Sequence, residues 1–363
     1  SSTPKNLVIF LQESLGAQFV GALDGDRDVT PNINALSRES IFFTRLYSNG
    51  TRSIRGISGT VSGFLSTPGK GVVKRNLSQK DFFTVAQLLK PYGYRRSFFY
   101  GGESRFDNMK SWFSGNGFDE IYDEASFNET DFHGTWGVDD ATVAERASEY
   151  YKKLHDNNEN FVSVIFSTTN HTPFDFPPGK IELVEGVPEK SVENAIKYAD
   201  YAIGHFIRLA KQSGYYEDTV FLIIADHNIR VYGDDIIPVD MFHIPGMILG
   251  GNTKPAIVDE LSSQPDTLAT ALDMIGIDLE YPILGKSIFS DSKAQINLLQ
   301  YHDIYGLRHK NQIAVLQPGK PAETYLVSAE DHLTPTEHNI ELEKDALAFI
   351  ITLDHLYSQQ QFR

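Results

Sequence analysis

Three short pieces, far apart in the 363-residue chain, carry the side chains best suited to chemistry. Glu13 comes just after the apolar run Leu7-Val8-Ile9-Phe10-Leu11. Thr51 follows Asn49-Gly50 and precedes Arg52-Ser53-Ile54-Arg55. Asp226-His227 ends a second apolar run, Val220-Phe221-Leu222-Ile223-Ile224-Ala225. Two of the three read as polar residues at the end of a buried strand, where open α/β sheets place their ligands. Together they offer a carboxylate, a hydroxyl, a second carboxylate and an imidazole. That is a ligand set for one divalent metal, with the hydroxyl as a metal-activated nucleophile. With no sulfur among the donors, manganese, magnesium and zinc all fit.

Each residue also has a plainer reading. Arg52 to Phe64 lacks proline, so Thr51 is expected to open a helix whose free N–H groups and partial positive charge face a phosphate oxygen. By itself Thr51 would be an N-cap, and Glu13 and Asp226 would be solvated strand-end carboxylates. Their joint placement after long apolar strands favours the metal site. Arg55 lies four residues after Thr51 on the same helix face; it holds the nucleophile, binds a phosphate oxygen or forms a salt bridge. His171 follows an apolar strand and precedes Pro173, as a proton donor to the leaving oxygen, a substrate ligand or a loop-packing residue. His243 is a second-metal or substrate candidate for which a structural role carries more weight. His133 and Trp136 are candidates for an aromatic wall near the pocket.

The elements that must position these groups alternate. Strands are predicted at 6–12, 94–100, 161–167, 219–225 and 243–249, each a short, nearly continuous apolar run of the kind buried on both faces of a parallel sheet. Helices are predicted at 31–40, opened by Thr30-Pro31, at 81–90, opened by Asp81, at 191–212 and at 265–276. The alternation predicts an α/β fold, a doubly wound, mainly parallel sheet with helices on both faces. After residue 285 the pattern changes. Strands at Ala294–Leu299, Ile304–Arg308, Gln312–Gln317 and Thr324–Val327, then a helix at 341–358, predict a small antiparallel C-terminal subdomain. The expected division is a catalytic domain over 1–285 and an α+β subdomain over 286–363. Segment 175–190, rich in Pro, Gly and Glu, reads as a surface loop near a site.

Composition narrows the function classes. A net charge of -16 argues against nucleic acid or an anionic lipid surface as the main partner, though a metal and a few arginines can still attract an anionic substrate. The chain has no cysteine, which excludes disulfides, thiolate metal sites and cysteine nucleophiles. No apolar stretch approaches the roughly 18 residues of a membrane span. No signal peptide is read at Ser1-Ser2-Thr3-Pro4-Lys5, and the early first strand suggests a form trimmed at a domain edge.

Several segments resemble a known superfamily. Thr30-Pro31-Asn32-Ile33-Asn34-Ala35-Leu36 resembles the TPNLDAL-type segment of sulfatases and their relatives. Ile224-Ala225-Asp226-His227 resembles their late metal-binding strand end, and Gln264-Pro265-Asp266-Thr267-Leu268-Ala269-Thr270-Ala271-Leu272 resembles their DLLPTLLDL helix. The order covers most of residues 6–290. The nearest resemblance is to the lipoteichoic-acid-synthase-like phosphoglycerol transferases of the alkaline phosphatase superfamily. That resemblance implies one metal, manganese first, held by Glu13, Thr51, Asp226 and His227, with Thr51 as the nucleophile. Ser167-Thr168-Thr169-Asn170-His171-Thr172-Pro173-Phe174 resembles the family's NHxPF substrate-binding stretch. Where such enzymes carry a Trp-Asn-Arg-like element, this chain reads Tyr100-Gly101-Gly102-Glu103-Ser104-Arg105-Phe106-Asp107-Asn108-Met109, with no Arg at the expected place, which leaves the Asn108 region to choose the head group.

The resemblance implies a phosphoglycerol transferase working through a covalent phospho-threonine. Its donor would be a phospholipid head group or glycerophosphate, and its acceptor a hydroxyl such as a glycan's. It also implies the extracytoplasmic face of a bacterial membrane, with a tether through helices absent from this chain. The alternatives are a sulfate or phosphate ester hydrolase on the same fold and a non-catalytic binding module. Thr51-x-Ser53-x-Arg55 matches the spacing of the sulfatase CxPxR signature, but that signature needs Cys or Ser at its first position.

Overall fold

In the computed structural model, which describes residues 3–292 and 295–363, the run Asn6–Gln12 forms strand β1 with every residue buried. The same sheet takes in β2 (Ile41–Phe43), β3 (Arg95–Tyr100), β4 (Glu120–Tyr122), β5 (Phe161–Phe166), β6 (Thr219–Ala225), β7 (Gly246–Gly250) and β8 (Ala256–Val258). The spatial order of the eight is β8-β2-β7-β6-β1-β5-β3-β4, and β1 pairs in parallel with both β5 and β6. Side chains alternate between faces along a strand, so the complete burial of β1, β5 and β6 means that both faces are covered.

Three of the eight strands escape the sequence pattern. β2, β4 and β8 are each three residues long, and β4 and β8 lie at the sheet edges, where a short run carries little periodicity. β7 begins three residues later than expected and runs antiparallel to both β6 and β2; it is the one reversed strand of this sheet among the described residues. Among the helices, α1 (Pro31–Ser37) and α2 (Ser53–Ile57) are shorter than expected, and α2 passes directly into a π-helical turn, Ser58–Ser62. α3 starts at Val85, not Asp81: Asp81 has φ 54°, and Thr84 is the N-cap, accepting from the Gln87 N–H. α4 (Met109–Gly115) and α5 (Asp140–Asp156) were not predicted; the charged surface of α5 hides the buried positions Ala141, Val143, Ala144, Ala147, Tyr151 and Leu154. α6 (Val192–Gln212) and α7 (Gln264–Asp273) stand close to the predicted positions, α7 opened by a capping box of Ser263 and Asp266.

The C-terminal part is an antiparallel meander of β9 (Ile296–Tyr301), β10 (Ile304–His309), β11 (Gln312–Leu316), β12 (Glu323–Val327) and β13 (Leu333–Pro335), followed by α8 (Ile340–Ser358). The predicted first strand began at Ala294, which lies outside the described residues. The main hydrophobic core runs without a break from Leu7–Leu11 through Leu298, Leu307 and Ala314 to Leu353 and Tyr357, so the meander and α8 share the core of the large sheet. No helix of the described residues is long and apolar enough to cross a membrane.

Candidate active site

Adjacent parallel strands β1 and β6 end level with each other, Gln12 pairing with Ala225, so the residues that follow them, Glu13 and Asp226-His227, meet at one sheet edge. The ligand atoms of Glu13, Asp226 and His227 all lie within 4.8 Å of one another, and all three residues are buried. The backbone locks them. The Glu13 N–H donates to Ser167 Oγ at 2.7 Å, and the N–H groups of Ser14 and His227 donate to Asp226 Oδ1 at 2.8 and 2.7 Å. His227 Nδ1 lies 2.6 Å from the Asn228 carbonyl, a contact that places its proton there and leaves Nε2 facing the carboxylates, 3.4 Å from Glu13 Oε1 and 3.4 Å from Asp226 Oδ2.

The charges are poised for a cation. Burial works to raise the Glu13 pKa, but hydrogen bonds and charge from His171 and His227 outweigh it and hold the carboxyl well below its ordinary value. Burial, and then the charge of Glu13, push the Asp226 carboxyl up. Burial disfavours a charged His227 ring, yet Asp226 and Glu13 overcome that and raise its pKa. Asp226 Oδ2 is buried with no partner at hydrogen-bonding geometry, a state that costs a few kcal/mol for any polar atom and more for a charged one. A divalent cation between the two carboxylates and the free Nε2 would meet that oxygen, and the O/N donor set suits manganese, magnesium or zinc.

Of the Thr51 and Ser53 hydroxyls, the one in hydrogen-bond contact with this group is that of Ser53. Ser53 Oγ donates to Glu13 Oε2 at 3.0 Å and lies 3.3 Å from His227 Nε2. Thr51, half-buried, lines the same cavity but its side chain has no hydrogen bond among the described residues. The physical reason is where the helix begins. Arg52 is the extended N-cap (φ -133°, ψ 148°) and Ser53 the first residue of α2, one position beyond the start expected with Thr51 as the cap. Gly56 sets the distance: a Cβ there would stand 2.6 Å from the Asp226 carbonyl oxygen and 2.7 Å from its Cα.

Other predicted site residues separate into two groups. His171 Nε2 lies 3.5 Å from Glu13 Oε1 and its ring stacks on Trp136 at 4.4 Å, so both border the cavity of about 320 Å³ above the cluster. Arg55 does not reach this cavity. Its guanidinium is buried and donates to the carbonyls of Thr67, at 2.8 Å, and Gly69, tying α2 to the 67–69 segment. Asn108 does not line the cavity either; with φ 62° it is the turn residue before α4, while its neighbours Phe106, Asp107 and Met109 do line it. His243 packs on Tyr47 and lies 2.7 Å from the Thr44 carbonyl, away from the cluster, and His133 lies 3.3 Å from Glu124.

The sulfatase family model matches residues 5–277. The chain belongs to the sulfatase family. Such an enzyme acts on sulfate or phosphate esters. A crystal structure of a protein in the alkaline phosphatase superfamily from Vibrio parahaemolyticus is 39% identical with a TM-score of 0.95, over 100% of this chain and 89% of that one. The lipoteichoic acid synthase LtaP from Listeria monocytogenes superposes with a TM-score of 0.79 at 18% identity, over 98% of this chain and 93% of that one. Among curated relatives, lipoteichoic acid synthase-like YvgJ of Bacillus subtilis is 24% identical over 82% of this chain, and phosphoglycerol transferase I of Escherichia coli is 24% identical over 78%. The chain spans 51% and 39% of their lengths. Ser53 stands inside the Thr51–Arg55 segment that the sequence singles out, and the exact start of a short helix decides which hydroxyl of that segment contacts Glu13.

Proposed function

We propose that this sulfatase-family chain transfers a phosphoglycerol group from a phospholipid-type donor, with Ser53 as the nucleophile in place of Thr51. The observation that supports it is the Ser53 hydroxyl, 3.0 Å from Glu13 and 3.3 Å from His227 at the floor of the cavity. The names of the two curated relatives favour phosphoryl chemistry. Against sulfate hydrolysis stands the CxPxR signature: counted from Thr51 its first position is wrong, and counted from Ser53 its last position is Ile57.

Glu13, Asp226 and His227 would hold one divalent ion, manganese before magnesium or zinc, which would supply Lewis-acid activation of the hydroxyl and of a phosphoryl oxygen. Ser53 Oγ attacks phosphorus and its proton passes to water; the Oγ–P bond forms as the bond from phosphorus to the diacylglycerol oxygen breaks. His171, beside Glu13, gives its proton to that leaving oxygen. An acceptor hydroxyl, such as a glycan's, or water then gives its proton to His171 and attacks phosphorus; the Oγ–P bond breaks and Ser53 Oγ takes back a proton from water. Phe166 and Tyr100, both buried, line the cavity beside the reacting centre. Placement at the extracytoplasmic face of a bacterial membrane, by a tether outside this chain, belongs to the same proposal.

Intact-mass analysis after incubation with phosphatidylglycerol tests it. Wild type and Thr51→Ala should carry a glycerophosphoryl adduct and Ser53→Ala none, with turnover falling at least 10³-fold only in Ser53→Ala, as for loss of a catalytic nucleophile. The reverse pattern would return the role to Thr51; full activity in both variants would mean that water attacks directly.

A further inference from the structure

We infer that Ser14 is a positioning residue for the metal site, holding one oxygen of each carboxylate so that the other remains for a cation. This rests on the one-metal reading above. Ser14 is buried and follows Glu13 directly. Its N–H donates to Asp226 Oδ1 at 2.8 Å, and its hydroxyl donates to Glu13 Oε1. The His171 and His227 rings stand farther from Oε1, at 3.5 and 3.4 Å. The oxygens left over are Asp226 Oδ2, buried without a partner, and Glu13 Oε2, which accepts from Ser53 at 3.0 Å. One residue thus touches both carboxylates, and it takes a single oxygen from each. Partners of this kind orient metal ligands and tune their affinity.

The backbone of Ser14 supports the same role. Its φ is 53°, in the left-handed region that glycine enters freely and other residues enter at a cost. A serine at a position suited to glycine adds a hydroxyl that glycine lacks, and that hydroxyl is committed to Glu13. The conformation is held from both sides. The Glu13 N–H is fixed on Ser167 Oγ at 2.7 Å, and the Ser14 carbonyl accepts from Asn170 Nδ2 at 2.5 Å. Asn170 is itself buried and immediately precedes His171, so Ser14 also ties the His171 loop to the carboxylates. A glutamate side chain has three rotatable bonds. Ordering its carboxyl before a cation arrives removes an entropic cost from binding.

Manganese titration of the metal-free chain, read by calorimetry beside thermal unfolding of the same samples, tests the inference. Ser14→Gly accepts the backbone conformation and loses the hydroxyl. It should bind manganese roughly 10- to 100-fold more weakly, the loss that follows removal of a partner behind a metal ligand. Ser14→Ala should lose affinity to the same extent but melt below Ser14→Gly, because alanine carries the left-handed strain and glycine does not. Wild-type affinity in Ser14→Gly would overturn the inference, including the case in which Ser14→Ala alone is weakened, since the effect would then belong to the backbone. Asp226→Ala in the same titration separates the inference from the reading beneath it. Manganese lost in Asp226→Ala but bound at wild-type affinity in Ser14→Gly would remove only the role of Ser14. Manganese bound at wild-type affinity in Asp226→Ala would remove the metal reading itself.

Discussion

The floor and the lip of the cavity are built by opposite means. On the floor, Glu13 and Asp226 are 1% and 0% exposed and follow strands in which every residue is buried, so their backbones cannot move without moving the sheet. On the lip, Phe106 and Trp136 are 51% and 36% exposed. Phe106 begins a single turn that contains two positive-φ residues, Asp107 and Asn108, and Trp136 lies at the tip of a hairpin with two-residue strands. Reaction chemistry needs ångström precision and sits on the rigid scaffold; choice of substrate tolerates variation and sits on loops. The first region should therefore respond to substitution in an all-or-none way, and the second by degrees.

The largest effect expected is on metal content. Asp226→Ala and Glu13→Gln should each lower divalent-metal affinity by more than the roughly 10- to 100-fold that follows loss of a hydrogen-bond partner behind a metal ligand, read by elemental analysis after dialysis. Metal retained at wild-type stoichiometry in both variants would dissolve the distinction between floor and lip. Next comes Gly56→Ala. The added methyl would stand 2.6 Å from the Asp226 carbonyl and must push α2 off the cluster. A shift near 1 Å costs on the order of 10² in rate, with stability lower by about 1–3 kcal/mol. Turnover equal to wild type would show that the contact between α2 and Asp226 does not set the position of Ser53.

The same contrast explains what the sequence could reveal. Glu13 and Asp226-His227 were legible because five or six consecutive apolar residues announce a buried strand, and its end is a defined place in the fold. The helix α2 was legible as a helix, but which hydroxyl contacts the cluster depended on a one-residue choice of N-cap, Thr51 or Arg52, which neither proline nor hydrophobic period decides. Arg55 was open by spacing to holding the nucleophile, a phosphate oxygen or a salt bridge, yet the carbonyls of Thr67 and Gly69 capture it; the Pro68-Gly69 pair marks a turn in the sequence but not what that turn will bind. The lip was legible only as scattered aromatics, because loop contacts such as Phe106 on Trp136 are tertiary.

Asp140 is the joint between the two regions, and it makes a pH-dependent prediction. Fully buried at the start of α5, it accepts from the N–H groups of Thr168 and Thr169 at 2.8 and 3.3 Å and so fixes the loop that leads to His171. Burial, with a smaller contribution from Asp139, pushes its carboxyl up to about 6 against the hydrogen bonds from Thr168 and Thr169. The unfolded chain releases this proton near pH 3.9, whereas the folded chain holds it to about pH 6, so this group's contribution to stability falls as pH rises through that window. The loss amounts to roughly 3 kcal/mol by pH 7, at about 1.4 kcal/mol per pKa unit. Asp140→Asn, neutral at every pH, should match wild type in urea denaturation near pH 4 and exceed it by about 1–3 kcal/mol at pH 7. An unchanged pH slope in the variant would assign the ionisation elsewhere.

The smallest expected effect separates a turn residue from a substrate contact. Asn108 was expected to choose the head group, but it stands outside the cavity with φ 62° and ψ 18°, the left-handed region that glycine occupies freely and asparagine tolerates. Its role is to let the chain turn from Phe106 and Asp107, which do line the cavity, into α4. A backbone role and a contact role predict different series. If the conformation is what counts, Asn108→Gly should keep wild-type stability within a few tenths of a kcal/mol, Asn108→Ala should lose about 1 kcal/mol, and both should bind donor headgroups with unchanged relative affinity. If the side chain touches substrate, glycine and alanine should instead shift donor preference by the same amount whatever they do to stability. Thermal unfolding and donor competition on the two variants decide between these, and a shared change in preference would extend the lip by one residue.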